Sequence, residues 1–80
     1  MTKDELKAAV LAAIRANGGK AQLIEIAKYI WANHERALRA SGDRFYRWQY
    51  EMRWLANELR REGKLEPADP ANKGIWVLTR

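Results

Sequence analysis

Residues 44–63 read RFYRWQYEMRWLANELRREG. Two tryptophans, two tyrosines and one phenylalanine are threaded with five arginines. The spacing predicts a helix from residue 44 to about 62 that stops at Gly63. With Met52 at the centre of its buried face and about 100° per residue, Phe45, Trp48, Leu55, Ala56 and Leu59 fall within about 60° of it. These six form a coherent core stripe. Tyr46, Arg53, Asn57 and Arg60 lie on one flank, and Glu51, Glu58 and Glu62 on the other. Arg47, Tyr50, Trp54 and Arg61 stand near the pole opposite Met52. One helix face cannot bury every ring, so the outer rings must meet water, another part of the chain or a partner.

The rest of the chain must supply what that stripe packs against. Thr2-Lys3-Asp4-Glu5 has the capping-box spacing, and Leu6, Val10, Ala13 and Ile14 follow at helical intervals. Asn17-Gly18-Gly19 ends this first helix, expected over residues 3 to about 17. Lys20-Ala21-Gln22 can pair as a minimal strand. Leu23, Ile26, Ala27, Ile30, Trp31 and His34 then mark a second helix over about 22–37. Residues 39–43 read as a turn, with Ser41 and Asp43 as candidate N-caps for the third helix. Beyond Gly63, Lys64–Pro67 is a short candidate strand, residues 69–74 are dense in turn formers, and Ile75–Thr79 is β-branched and aromatic. Two strands around a loop make a hairpin. The expected class is α+β, mainly α: three helices followed by a C-terminal β-hairpin, in one domain spanning residues 1–80. This is the element order of a winged helix-turn-helix, in which the third helix enters the DNA major groove and the hairpin forms the wing.

Composition narrows the function classes. Fifteen Lys/Arg against ten Asp/Glu give a net charge of +5, which suits a polyanionic partner. There is no cysteine, so neither a disulfide framework nor a thiolate metal site is expected. No apolar run approaches the roughly 18 residues that span a bilayer, and MTKDELKAAV does not read as a signal peptide. The expected location is cytoplasmic, nucleoid-associated in a bacterial or archaeal cell, with no membrane partner.

Tyr46, Arg47, Gln49, Tyr50 and Arg53 occupy the front half of the third helix, the half a recognition helix presents to base edges. Arginine pairs with guanine or clasps phosphate, glutamine suits adenine, and a tyrosine hydroxyl reaches phosphate. Arg44 and the hairpin-turn Lys73 complete the expected set of DNA contacts. Lys20 and Gln22, opening the second helix, are a weaker candidate pair for a phosphate. An ordinary solvated helix would instead use Arg47–Glu51 as an ion pair and tolerate the repulsive Glu58–Glu62 spacing. That reading leaves the outward Tyr46, Tyr50 and Trp54 without a purpose. Trp54 is expected to pack under the hairpin or against a dimer partner with its ring edge exposed.

Three segments, GGKAQLIEI at 18–26, MRWLANELRREGKL at 52–65 and KGIWVLT at 73–79, together resemble the winged-helix domain at the N-terminus of Mrr-type restriction endonucleases. The resemblance covers most of the chain. Its most specific parts are Arg53-Trp54, Gly63 and the Gly74, Trp76, Leu78, Thr79 ending. It implies a restriction-related DNA-binding accessory domain, with Arg53-Trp54 and the Trp76/Leu78 strand face as framework positions. Lys64 departs from it, standing where the family tends to carry an apolar residue. The nuclease domain of those enzymes is missing from the chain, so the resemblance does not imply cleavage.

The residues offer little to catalysis. His34, the only histidine, continues the apolar face of the second helix and reads as a boundary residue. One histidine without cysteine supports neither a zinc site nor a Ser-His-Asp arrangement. Gly18-Gly19-Lys20 lacks the phosphate-loop spacing. The expectation is a non-enzymatic double-stranded DNA binder with no cofactor and no metal, either stand-alone or excised from a larger protein, with a second copy or a fused or partner effector domain as candidate partners. The competing reading is a winged-helix protein-interaction or dimerisation module centred on Tyr50 and Trp54.

Overall fold

The computed structural model describes residues 1–72 and 74–79. Helix α1 (Lys3–Ala16) leads into strand β1 (Lys20–Gln22), helix α2 (Leu23–Arg39) and helix α3 (Arg44–Arg61). A short 3-10 turn at Pro70–Asn72 precedes strand β2 (Ile75–Val77). The architecture is mainly helical α+β, as the periodicity predicts.

Each helix begins and ends for a local reason. Thr2 caps α1: its hydroxyl accepts from the Glu5 N–H at 3.1 Å, and the Glu5 carboxylate accepts from the Thr2 N–H at 3.1 Å. That backbone hydrogen bond, followed by the hydroxyl contact, holds the Glu5 carboxyl below the usual carboxylate range. At the other end, Gly19 N–H donates to Ile14 O at 2.9 Å and Gly18 N–H to Arg15 O at 3.2 Å. Helix α3 closes by the same pattern, with Lys64 N–H to Leu59 O at 2.8 Å and Gly63 N–H to Arg60 O at 3.1 Å. This wrap needs a left-handed residue after the helix, and Gly63 at φ 76° supplies it without a Cβ penalty.

Helix α2 outruns its expected end by two residues, reaching Arg39 in place of about 37. No breaker intervenes, Leu38 is fully buried, and Arg39 pairs with Glu35 one turn back at 2.8 Å. His34 is half-buried, as expected, and sits at a kink inside this helix (φ −133°, ψ 18°). The expected side-chain caps of α3 do not form. Asp43 occupies the N-cap position in a helical conformation without a capping bond. The Ser41 hydroxyl donates to Ala37 O at 2.6 Å and accepts from the Met1 amino group at 2.7 Å, so it is already engaged.

The strands also pair differently from a simple hairpin. β2 lies antiparallel to β1, with Ala21 opposite Trp76. The 64–66 arm contributes one bridge, Leu65 to Leu78, supported by Glu66 N–H to Val77 O at 2.8 Å and Thr79 N–H to Lys64 O at 3.1 Å. Pro67 has no N–H to extend that ladder, and the turn formers after it carry the chain away. The C-terminal strand is therefore held mainly by residues some fifty positions earlier, which ties both chain ends of the core together.

Leu6, Val10 and Ile14 of α1, Ile26, Ile30 and Leu38 of α2, Met52, Leu55 and Leu59 of α3, and Leu65 and Trp76 belong to one buried cluster. Five of the six stripe residues predicted on α3 are buried. Phe45 is the exception and is half-buried. It sits in the first turn of α3, where its ring meets Trp31 at 6.2 Å and the Arg39 guanidinium at 5.6 Å. Trp48 stacks on Trp31 with ring centroids 6.4 Å apart and planes 6° from parallel, which closes the α2–α3 seam.

Candidate nucleic-acid interface

Helix α3 packs its core stripe inward and turns one flank toward α1. All three carboxylates of residues 44–62 are taken up on that side. Lys3 Nζ meets Glu58 at 2.7 Å, Lys7 Nζ meets Glu58 at 3.4 Å and also contacts Glu62, and Arg44 Nε donates to Glu51 at 2.9 Å. The hydrogen bond to Lys3 holds the Glu58 carboxyl below the usual carboxylate range, and the bond to Lys7 does the same for Glu62. The Lys7 ammonium is pushed up, first by its bond to Glu62. The Arg47–Glu51 pair expected from i,i+4 spacing gives way to Arg44–Glu51, two turns apart. Glu58 and Glu62, repulsive on an isolated helix, are reconciled by a shared lysine from another helix.

Of these carboxylates only Glu51, already paired with Arg44, borders the outward face of α3. Tyr46, Arg47, Gln49, Tyr50, Arg53, Trp54, Asn57 and Arg61 are exposed on it. Tyr46, Tyr50, Arg53, Asn57 and Arg60 recur every three or four residues and form a stripe about 21 Å long. Two grooves flank that stripe. One of about 410 Å³ lies between the start of α2 and the front half of α3, walled by Leu23, Ile24, Tyr46, Gln49, Tyr50 and Arg53. The other, of about 760 Å³, lies between the back half of α3 and the C-terminal loop, walled by Arg53, Asn57, Arg60, Asp69, Pro70 and Ile75. Arg53 borders both.

The residues expected from sequence to contact DNA therefore separate. Tyr46, Gln49, Tyr50 and Arg53 come together on the groove side. Arg47 stands apart from them beside Trp54, around a shallow depression also bounded by Arg44, Tyr50 and Glu51. Arg44 is half-buried and committed inward, since its Nη1 also donates to Met1 O at 2.8 Å. Lys73 lies outside the described residues. The N-terminus of α2 is already served by a carboxylate: Glu25 accepts from the Gln22 N–H at 2.9 Å and from Asn17 Nδ2 at 3.1 Å. A phosphate there would meet that negative charge.

Trp54 departs from one arm of its expectation, packing under the hairpin, and its exposure leaves the dimer-partner arm standing. It is 73% exposed and packs neither under the C-terminal loop nor against the core. Arg53 and Trp54, framework positions by resemblance, both face outward, whereas Trp76 is buried as framework should be.

Asn57 and Arg60 were not among the expected contacts, though they share the flank of Arg53. Arg60 Nε donates to Glu66 O at 3.2 Å, which fixes the side chain at the edge of the second groove. Ile24, 58% exposed, is the other addition, on the wall of the first groove. Flank position alone could have flagged Asn57 and Arg60. Only the placement of α2 against α3 reveals Ile24.

Comparison with known proteins yields no matching family model, no matching curated protein and no matching solved structure. Among the described residues, no group of three His, Cys, Asp or Glu side chains is placed to hold a metal ion. No helix of the described residues is long and apolar enough to cross a membrane.

Proposed function

We propose that this chain is a winged helix-turn-helix domain that binds double-stranded DNA, with α3 in the major groove and the loop between Leu65 and Ile75 as the wing. The observation that carries this reading is the sorting of charge around α3. Glu58 and Glu62 are neutralised by lysines of α1 and Glu51 by Arg44 of the same helix, and the outward face keeps arginines, hydrogen-bonding side chains and rings. An α-helix fits the major groove, where arginine, glutamine and asparagine pair with base edges and with the phosphate walls. The order of three helices with a strand pairing back to β1, and the resemblance to the Mrr-type N-terminal domain, support the same reading. Accessory binding, without catalysis by this domain, follows from it.

The competing reading, a self-association module, draws on the exposure of Tyr50 and Trp54 at 72% and 73%. Those two rings offer about 300 Å², whereas a stable interface takes about 800 Å² from each partner.

Backbone amide shift mapping with a random-sequence duplex tests the proposal. The expected result is perturbation of residues 46–60 and of the loop between Leu65 and Ile75, with α1 unaffected. Perturbation confined to α1, or none at all at concentrations of protein and duplex well above the non-specific range of about 10⁻⁴–10⁻⁶ M, would contradict it.

A further inference from the structure

We infer that Tyr50 and Trp54 read thymine methyl groups on the floor of the major groove, which makes them specificity-determining residues of the duplex-binding face. The inference rests on the duplex-binding reading above and adds to it what the pole of α3 recognises. Both rings lie close to the direction opposite Met52, one helical turn from each other. When a helix lies in the major groove on its exposed side, its flanks meet the phosphate walls and its pole points at the base edges. The flank here is polar and cationic, through Tyr46, Arg53, Asn57 and Arg60. The pole carries both rings, with Arg47 and Arg61 beside them.

The fold does not use either ring. Tyr50 is 72% exposed and Trp54 is 73% exposed, while the core is complete without them. Between them, with Arg44, Arg47 and Glu51, lies an open depression of about 520 Å³. A ring face held toward base edges has one apolar feature to contact, the C5-methyl of thymine. Cytosine presents an amino donor, and the purines present ring-nitrogen and carbonyl acceptors. A second copy of the chain fits the pole poorly. A two-fold contact centred on Trp54 brings Arg47 and Arg61 of each copy toward like charge, and the same arginines favour a polyanion.

The test begins with selection of the tightest-bound duplex from a random pool by the full chain. That duplex is then resynthesised with uracil in place of thymine, which removes the methyl and keeps the hydrogen-bonding edge. The native protein is expected to bind the uracil duplex about fourfold more weakly for each contacted methyl. Trp54→Ala, whose fold is checked by its far-ultraviolet spectrum and thermal midpoint, is expected to narrow the difference between the two duplexes, and Tyr50→Ala plus Trp54→Ala to remove it. Tyr50→Phe, which keeps the ring, is expected to retain the discrimination. A selected site without thymine, equal native affinity for the two duplexes, or an undiminished ratio in Trp54→Ala overturns the inference while leaving duplex binding intact. Failure to bind any duplex overturns the inference and the function it rests on together.

Discussion

Trp48 and Trp54 stand six positions apart on α3 and meet opposite fates. Trp48 is 4% exposed and stacked on Trp31, whereas Trp54 is 73% exposed. The same contrast holds for charge. Glu58 and Glu62 turn toward α1 and pair with its lysines, and Glu51 pairs with Arg44 of its own helix, while Arg47, Arg53 and Arg61 face outward. An amphipathic helix ordinarily separates apolar from polar. This one makes a second separation within its polar half, placing acid against its neighbour and base with aromatics toward the outside. Folding accounts for the first separation and for the acidic flank. It does not call for the second, cationic-aromatic surface, and there a partner is the economical explanation.

The two tryptophans offer the widest separation of outcomes. Trp48→Ala removes a buried stacked ring and is expected to cost about 3–5 kcal/mol, which takes most or all of the stability of a small domain at about 5 kcal/mol. Trp54→Ala is expected to change stability by less than about 0.5 kcal/mol. Urea denaturation of both variants checks this. Comparable losses would mean that Trp54 is framework after all, and that the exposed face is smaller than described.

The first separation was legible in the sequence and the second only partly so. Periodicity alone picked out Trp48, Met52, Leu55, Ala56 and Leu59, because burial of a stripe follows directly from 3.6 residues per turn. Phe45 missed full burial because the helix wheel does not say where the neighbouring helices end. The wheel also grouped Glu51, Glu58 and Glu62, but could not show that Lys3 and Lys7 of α1 would lie alongside, since that contact spans about fifty residues of chain. The inward bonds of Arg44 stay hidden in the sequence for the same reason. Its angular position beside Glu51 was readable, but its reach to the Met1 carbonyl was not. The strand pairing of β2 with β1 was likewise a long-range choice that local turn chemistry did not reveal.

The acidic flank gives the smaller effect. Glu58 and Glu62 have folded-state affinities for protons below the usual carboxylate range, so their pairing stabilises the fold at pH values above that range. This stabilisation fades as pH falls through the folded-state values. Lys7 has its pKa raised, so its share is present at neutral pH and is lost only as alkali deprotonates it. The thermal midpoint is therefore expected to fall on acidification below the carboxylate range. Glu58→Gln plus Glu62→Gln is expected to flatten that fall. An equally steep acid response in the double variant would show that other carboxylates govern it. The groups are solvent-accessible, so the effect is modest and shrinks with added salt.

The central claim is that the outward arginines of α3 meet DNA phosphates or bases while the inward charges do not. Duplex affinity measured against salt concentration addresses it most directly, comparing the native chain with Arg47→Ala plus Arg53→Ala and with Lys3→Ala plus Lys7→Ala. The account predicts a linear fall of log K with log salt whose slope shrinks by about 2 on loss of Arg47 and Arg53, and is little altered by loss of the α1 lysines. A salt-independent affinity, or a slope that responds to the α1 pair and not to the α3 pair, would contradict it.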